Sequence, residues 1–261
     1  MAKAEKFSRK VSSWFLVPNP IEKPRLRLFC VPYAGGNATA FHRWGSHFKQ
    51  DEIFSFQLPG RAFRRKEPCI VEIPEMVEAM AAAIKPHLDV PFVFFGHSMG
   101  AILAYELARS LRGKGWPMPA GLIVSARRAP SVGGEESVAA SLPDDQFWRL
   151  IGQLYGTTRA LLDSPELKEM LMPTFRGDFR LLNNWSYSEA PAMSFPVLAV
   201  GGTSDPGVTQ RDLLAWGDET TGVFTHHLIE GGHMFLQPKE AEVVRLVLSF
   251  IDGLKLEPRG L

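Results

Sequence analysis

The residues in this sequence best able to do chemistry are Gly96-His97-Ser98-Met99-Gly100. They fit the pattern G-x-S-x-G, in which a serine sits on a tight strand-to-helix turn with its hydroxyl exposed at the carboxyl edge of a sheet. The two glycines remove side chains that would collide where the chain doubles back. The backbone N–H of Met99 is then left pointing where an oxyanion would form. Two glycines around a serine recur by chance, so the flanks decide. Phe92-Val-Phe-Phe95 precedes the pattern as a strand and Ala101-Ile-Leu-Ala-Tyr-Glu-Leu107 follows it as a helix. The plain alternative is a structural turn in some other α/β protein.

A serine hydroxyl is a poor nucleophile without an adjacent base. On a turn of this kind the partners follow in the order Ser, acid, His. Of the seven histidines, His42, His47, His87 and His97 precede Ser98, and His226 and His227 fall inside a predicted strand. His233 lies in Glu230-Gly-Gly-His-Met234, a glycine loop able to swing an imidazole over the sheet edge. It is the candidate base; the bland reading is a turn histidine. Gly201-Gly-Thr-Ser-Asp-Pro206 supplies Asp205 as the acid that would hold the imidazole tautomer. An Asp that merely opens a turn before Pro206 is the plain alternative, and Asp212 and Asp218 are weaker rivals. For the second oxyanion donor the candidate is the N–H of Ala34, in Val31-Pro-Tyr-Ala-Gly-Gly36, alongside that of Met99. One such donor is worth roughly 10²–10³ in turnover.

These side chains need a frame, and the hydropathy pattern supplies one. Short apolar runs at 25–32, 53–58, 91–95, 121–126, 195–200 and 223–229 end in Gly or Pro and read as strands buried on both faces. Helical periodicity fills 73–87, 101–111 and 238–251. Alternating strands and helices predict an α/β protein with a mostly parallel sheet flanked by helices. The stretch 127–194 is far longer than the dozen or so residues a crossover needs. Its own apolar positions, among them Phe147, Ile151, Leu161, Leu162, Phe175 and Leu182, predict a helical insertion over about 141–190. It reads as a lid above the sheet edge, or more plainly as a pair of packing helices. Residues 1–24, charged and then Pro-rich, read as an N-terminal arm before a domain spanning 25–261.

Composition narrows the function classes. With 29 Lys+Arg against 28 Asp+Glu, the chain lacks the basic footprint of a nucleic-acid binder. Two cysteines, Cys30 and Cys69, cannot build a disulfide framework or a CxxC metal site, and free thiols fit a reducing, cytoplasmic compartment. No run approaches the ~18 apolar residues of a membrane span. Val11–Val17, cut off by Pro18 and Pro20, is too short and polar for a signal peptide. No residue set has metal-ligand spacing and no dinucleotide fingerprint follows a strand, so neither metal nor cofactor is expected.

Several motifs together resemble the type II thioesterases that serve polyketide synthases and nonribosomal peptide synthetases, with which the medium-chain thioesterase of fatty acid synthesis belongs. They are Pro32-Tyr-Ala-Gly-Gly36, Gln57-Leu-Pro-Gly-Arg61, Phe94-Phe-Gly-His-Ser-Met-Gly100, Val197 to Asp205, Glu230-Gly-Gly-His233, and Met172-Pro-Thr-Phe-Arg-Gly-Asp-Phe179. The resemblance covers about residues 25–252. It implies an α/β-hydrolase fold with a flexible helical lid. It also implies hydrolysis of acyl groups held as thioesters on the phosphopantetheine arm of a carrier protein, with Ser98, His233 and Asp205 as the triad. One departure is Gly177, where the family often has Ala; glycine weakens a helix by about 0.5–1 kcal/mol.

Other features have plainer readings. Arg61, Arg64, Arg65 and Lys66 form a basic cluster, either a carrier-docking patch or a solvated loop. Asp178, between Arg176 and Arg180, reads as a helix-surface pair. Cys30 and Cys69 read as structural. A monomer acting in trans is the expectation. A medium-chain acyl thioesterase or a carboxylesterase is the competing enzyme reading, although the latter often carries a His-Gly-Gly-Gly loop where this chain has Tyr33-Ala-Gly-Gly36. A hydrolase fold that only binds a ligand is the non-catalytic alternative.

Overall fold

The computed structural model describes residues 9–133, 139, 141–155 and 163–256. Two short strands open it, β1 (Arg9–Ser12) and β2 (Phe15–Val17). The predicted runs then appear as β3 (Leu26–Val31), β4 (Asp51–Phe56), β5 (Phe92–His97), β6 (Gly121–Ser125), β7 (Val197–Gly202) and β8 (Phe224–Ile229). Together they form one sheet of eight strands in the order β1-β2-β4-β3-β5-β6-β7-β8. Pairing is parallel from β4 across to β8 and antiparallel for β1 with β2 and for β2 with β4.

The sheet includes part of the stretch expected to be an arm. β2 is only three residues long and ends at Pro18, too little alternation to register as a strand. What holds it is Phe15, fully buried, with its ring 4.8 Å from that of Phe56 and 5.2 Å from that of Phe54. Burying a phenylalanine is worth about 1.5–3 kcal/mol, enough to recruit a short segment to an edge. Residues 1–8 and 257–261 lie outside the described residues.

Helices α1 (Ile73–Ile84) and α2 (Met99–Gly113) cover one face of the sheet. Their Met76, Met80, Leu103 and Leu107 pack with Phe29, Phe92 and Phe94. On the other face lie the 3₁₀ segment Ala38–Ser46, through Phe41 and Trp44, and the last helix. The strands alternate between these two layers, as runs apolar on both sides require. The insertion supplies α3 (Asp144–Tyr155) and α4 (Pro165–Asn183), which share a small core of Phe147, Trp148, Ile151, Met172 and Phe175. Leu161 and Leu162, also expected on its apolar face, lie outside the described residues. A short α5 (Gln210–Leu214) follows β7, and α6 (Glu240–Asp252) closes the fold.

The topology creates the site. β3 has β4 on one side and β5 on the other, so the chain steps from β3 to β4 in one direction and from β4 back past β3 to β5 in the other. Such a reversal opens a crevice at the carboxyl ends of the strands. The register pairs Val31 with Gly96, which brings the loop after β3 beside the turn after β5. Among the described residues, no helix is long and apolar enough to cross a membrane.

Candidate active site

Ser98 occupies the turn between β5 and α2 with φ 55° and ψ −115°. A non-glycine residue there carries about 1–3 kcal/mol of strain. The turn is pinned from both sides: the N–H of Ser98 donates to the carbonyl of Ser125 at 2.7 Å, and the N–H of Ala101 donates to the carbonyl of Ser98 at 3.0 Å. Glycine is required at its two ends. A Cβ on Gly96 would lie 2.1 Å from the carbonyl oxygen of Gly100, and one on Gly100 would lie 2.1 Å from that of Val31.

The candidate base His233 and candidate acid Asp205 arrive on two loops fastened to each other. The loop after β7 bonds the loop after β8 through Thr203 N–H to the carbonyl of Ile229 (2.9 Å) and Ser204 N–H to that of Gly231 (2.8 Å). Here too backbones touch. A Cβ on Gly202 would lie 2.6 Å from the carbonyl oxygens of both Gly231 and Gly232. The result brings the three predicted side chains together. Ser98 Oγ–H donates to His233 Nε2 at 2.8 Å, and His233 Nδ1–H donates to Asp205 Oδ2 at 2.8 Å. The other carboxylate oxygen of Asp205 accepts from the N–H of Gly207 at 2.9 Å. Asp205 and Ser98 are buried and His233 is half-buried, which strengthens these bonds relative to water. The rival Asp212 instead caps α5 through Thr209.

The cluster opens into a cavity of about 460 Å³. Ala34, Ser98 and His233 line its sheet side; Leu150 and Leu154 of α3 and Phe179 and Leu182 of α4 line the opposite side. Of the expected oxyanion donors, Ala34 therefore lies on the cavity with Ser98. Met99 is the first residue of α2, in the turn whose N–H groups have no acceptor within the helix. Chemically, the arrangement can move a proton from a serine hydroxyl to an imidazole held by a carboxylate, next to an apolar chamber.

A family model described as thioesterase domain matches residues 26–252. The chain belongs to the thioesterase family. The thioesterase is 38% identical over 243 residues to the gramicidin S biosynthesis protein GrsT of Aneurinibacillus migulanus, covering 92% of this chain and 94% of that one. Its fold superposes on the type II thioesterase BorB from the borrelidin biosynthetic cluster with a TM-score of 0.85 at 31% identity, covering 92% and 98% of the two chains. RedJ, a thioesterase of the prodiginine pathway in Streptomyces coelicolor, gives 0.81 at 32% identity, with 95% and 98% covered. These likenesses make the thioesterase a thioester hydrolase of the serine hydrolase class, of the type II kind found in polyketide and nonribosomal peptide biosynthesis.

Three expectations change. Asp178 does not sit on the surface of α4. It is 1% exposed and meets the buried guanidinium of Arg61 in a two-pronged ion pair at 2.5 and 2.7 Å. The basic cluster is consequently not one patch. Arg61 and Arg64 are buried, Arg64 stacking on Trp14 at 4.1 Å, and only Arg65 and Lys66 are exposed. Gly177, expected only as a weak point of its helix, has a packing role in the thioesterase. A Cβ there would lie 2.6 Å from Cys69 Cβ and 2.8 Å from Cys69 Sγ, so glycine lets α4 approach the loop carrying Cys69.

One further residue packs beside the candidate triad. His97, fully buried, accepts at Nδ1 from the hydroxyl of Ser125 (2.8 Å) and donates from Nε2–H to the carbonyl of His233 (3.1 Å). Burial first, and the neighbouring His233 second, push its pKa down to about 3, so it is neutral. Its position beside Ser98 is the sequence signal for it, and chain order excludes it only as a base.

Proposed function

We propose that this thioesterase hydrolyses acyl or aminoacyl thioesters borne on the phosphopantetheine arm of a carrier protein, and so clears stalled or aberrant units from a polyketide or nonribosomal peptide synthase. Ser98 is the nucleophile. As its oxygen attacks the thioester carbonyl, His233 Nε2 takes the hydroxyl proton and Asp205 stabilises the imidazolium. The N–H groups of Met99 and Ala34 receive the negative charge on the carbonyl oxygen. Collapse expels the pantetheine thiolate, which takes the proton from His233, and leaves an acyl-Ser98 ester. Water, deprotonated by His233, then releases the acid by the same path in reverse. The apolar wall from α3 and α4 receives the acyl chain, and these helices act as its lid. The observation that carries this reading is the unbroken series of hydrogen bonds from Ser98 through His233 to Asp205, ending on an apolar chamber.

The test is mass spectrometry of carrier proteins loaded with acetyl, propionyl, longer acyl and aminoacyl groups, before and after incubation with the enzyme. Return of the carriers to the free-thiol form is expected. A p-nitrophenyl ester turned over while every loaded carrier stays intact would favour a carboxylesterase instead.

A further inference from the structure

Arg61 and Asp178 form a buried charged pair that the proposed mechanism leaves unused, 4% and 1% exposed at their side chains. As a stabilising device it is poor, because removing two charges from water costs about as much as their attraction returns. What a two-pronged guanidinium–carboxylate pair supplies is direction, and here the direction is toward the loop after β3. Asp178 Oδ2 accepts from the backbone N–H of Gly35 at 2.7 Å as well as from Arg61. Arg61 in turn donates to the carbonyl of Gly36 at 3.1 Å and to that of Pro59 at 3.2 Å. The loop closes on itself through Gly36 N–H to the carbonyl of Tyr33 at 2.9 Å. The polar groups of this turn are thus fixed from the side of α4, with Ala34 on the cavity.

The neighbouring contacts act in the same sense. Gly35 has φ +74°, and a Cβ there would lie 2.3 Å from the ring of Phe175. Thr174 donates to the carbonyl of Gly60 at 2.9 Å. With Gly177 against Cys69, one turn of α4 following Pro173 is seated on the loops of the sheet.

We propose that Asp178, oriented by Arg61, is the positioning residue that holds the loop 33–36 in its oxyanion-binding geometry, so that the part of α4 beyond Pro173 belongs to the catalytic frame and not to the moving part of the lid. This rests on the reading of Ser98 as nucleophile and of Ala34 as an oxyanion donor. It assigns a cause to the depth at which a charged residue of the insertion is buried.

The experiment uses the full chain, an acyl N-acetylcysteamine thioester as substrate, and an alkyl trifluoromethyl ketone, which serine enzymes bind as a hemiketal with its oxyanion in the hole. Asp178→Ala is expected to lower kcat and weaken ketone binding in parallel, on the order of 10²-fold as for loss of an oxyanion donor, with KM little changed. Asp178→Asn, whose amide oxygen can still accept from Gly35 but whose NH2 then faces the Arg61 guanidinium, is expected to recover part of both losses. Hydrogen exchange in the wild-type protein supplies a check that no variant's folding can spoil: the Gly35 amide should exchange as slowly as core amides of α2. Wild-type kcat and ketone affinity in a folded Asp178→Ala, or fast exchange at Gly35, overturns the inference alone. A wild-type enzyme indifferent to the ketone overturns the nucleophile reading and this inference with it.

Discussion

His97 grips the main chain of His233, not its ring: the Nε2–H of one imidazole donates to the backbone carbonyl of the other at 3.1 Å. That carbonyl can only accept, which fixes the Nε2–H tautomer of His97 and leaves its Nδ1 to accept from Ser125. A neutral, buried imidazole is therefore tied to the loop that carries His233.

The pH dependence of stability follows from this. Burial, with His233 adding to it, lowers the pKa of His97 to about 3 from an ordinary 6.5. Between those values the unfolded chain holds a proton that the folded chain does not. Stability is thus unpenalised above about pH 6.5 and falls as the pH drops through the window. His97→Asn should make the slope of unfolding free energy against pH, between about pH 4 and 6, shallower by up to one proton, ~1.4 kcal/mol per pH unit. Urea titrations at several pH values measure it, and equal slopes would remove His97 from the account.

Ser98→Ala should abolish turnover of carrier-borne acyl groups, a loss on the order of 10⁴–10⁶, with His233→Ala similar and the double variant little worse than either. Circular dichroism should show all three folded. Activity within tenfold of wild type in Ser98→Ala would refute the nucleophile.

Asp205→Asn keeps the shape of the acid but can donate to His233 Nδ1, favouring the wrong tautomer. A fall in kcat of about 10⁴ is expected at neutral pH, as in other serine triads. If Asp212→Asn cost more than Asp205→Asn, the acid would have been misassigned.

Gly177→Ala tests packing against propensity. Helix propensity alone would make alanine stabilising by about 0.5–1 kcal/mol. The contact with Cys69 reverses the sign, and a loss of about 1–3 kcal/mol is expected from overpacking. Combining it with Cys69→Gly should recover part of that loss, a non-additivity visible in thermal melts. A higher Tm in Gly177→Ala alone would show that the Cys69 loop yields freely.

The frame was legible because its signals are local. β5, the turn at Ser98 and α2 are written in adjacent residues, and glycine loops marked the places of Asp205 and His233. The fate of Asp178 was not legible, because its partner Arg61 lies 117 residues away. Viewed along the chain, flanking arginines made it look like part of a charged helix face. Both residues lie in motifs shared with the family, Gln57–Arg61 and Met172–Phe179, and that joint occurrence was the one available hint. β2 escaped notice for a different reason: three residues carry too little period to announce a strand, and only the aromatic cluster it joins reveals why it is ordered.

The small antiparallel hairpin of β1 and β2 also has a protective effect. It occupies the free side of β4, whose residues Asp51–Phe56 are all buried. An unpaired strand of that kind is a template for chain-to-chain pairing. Recombinant protein trimmed past Val17, or carrying a tag spliced between Ser12 and Phe15, would present that edge to its neighbours, and aggregation would reach the sample before any defect in catalysis did.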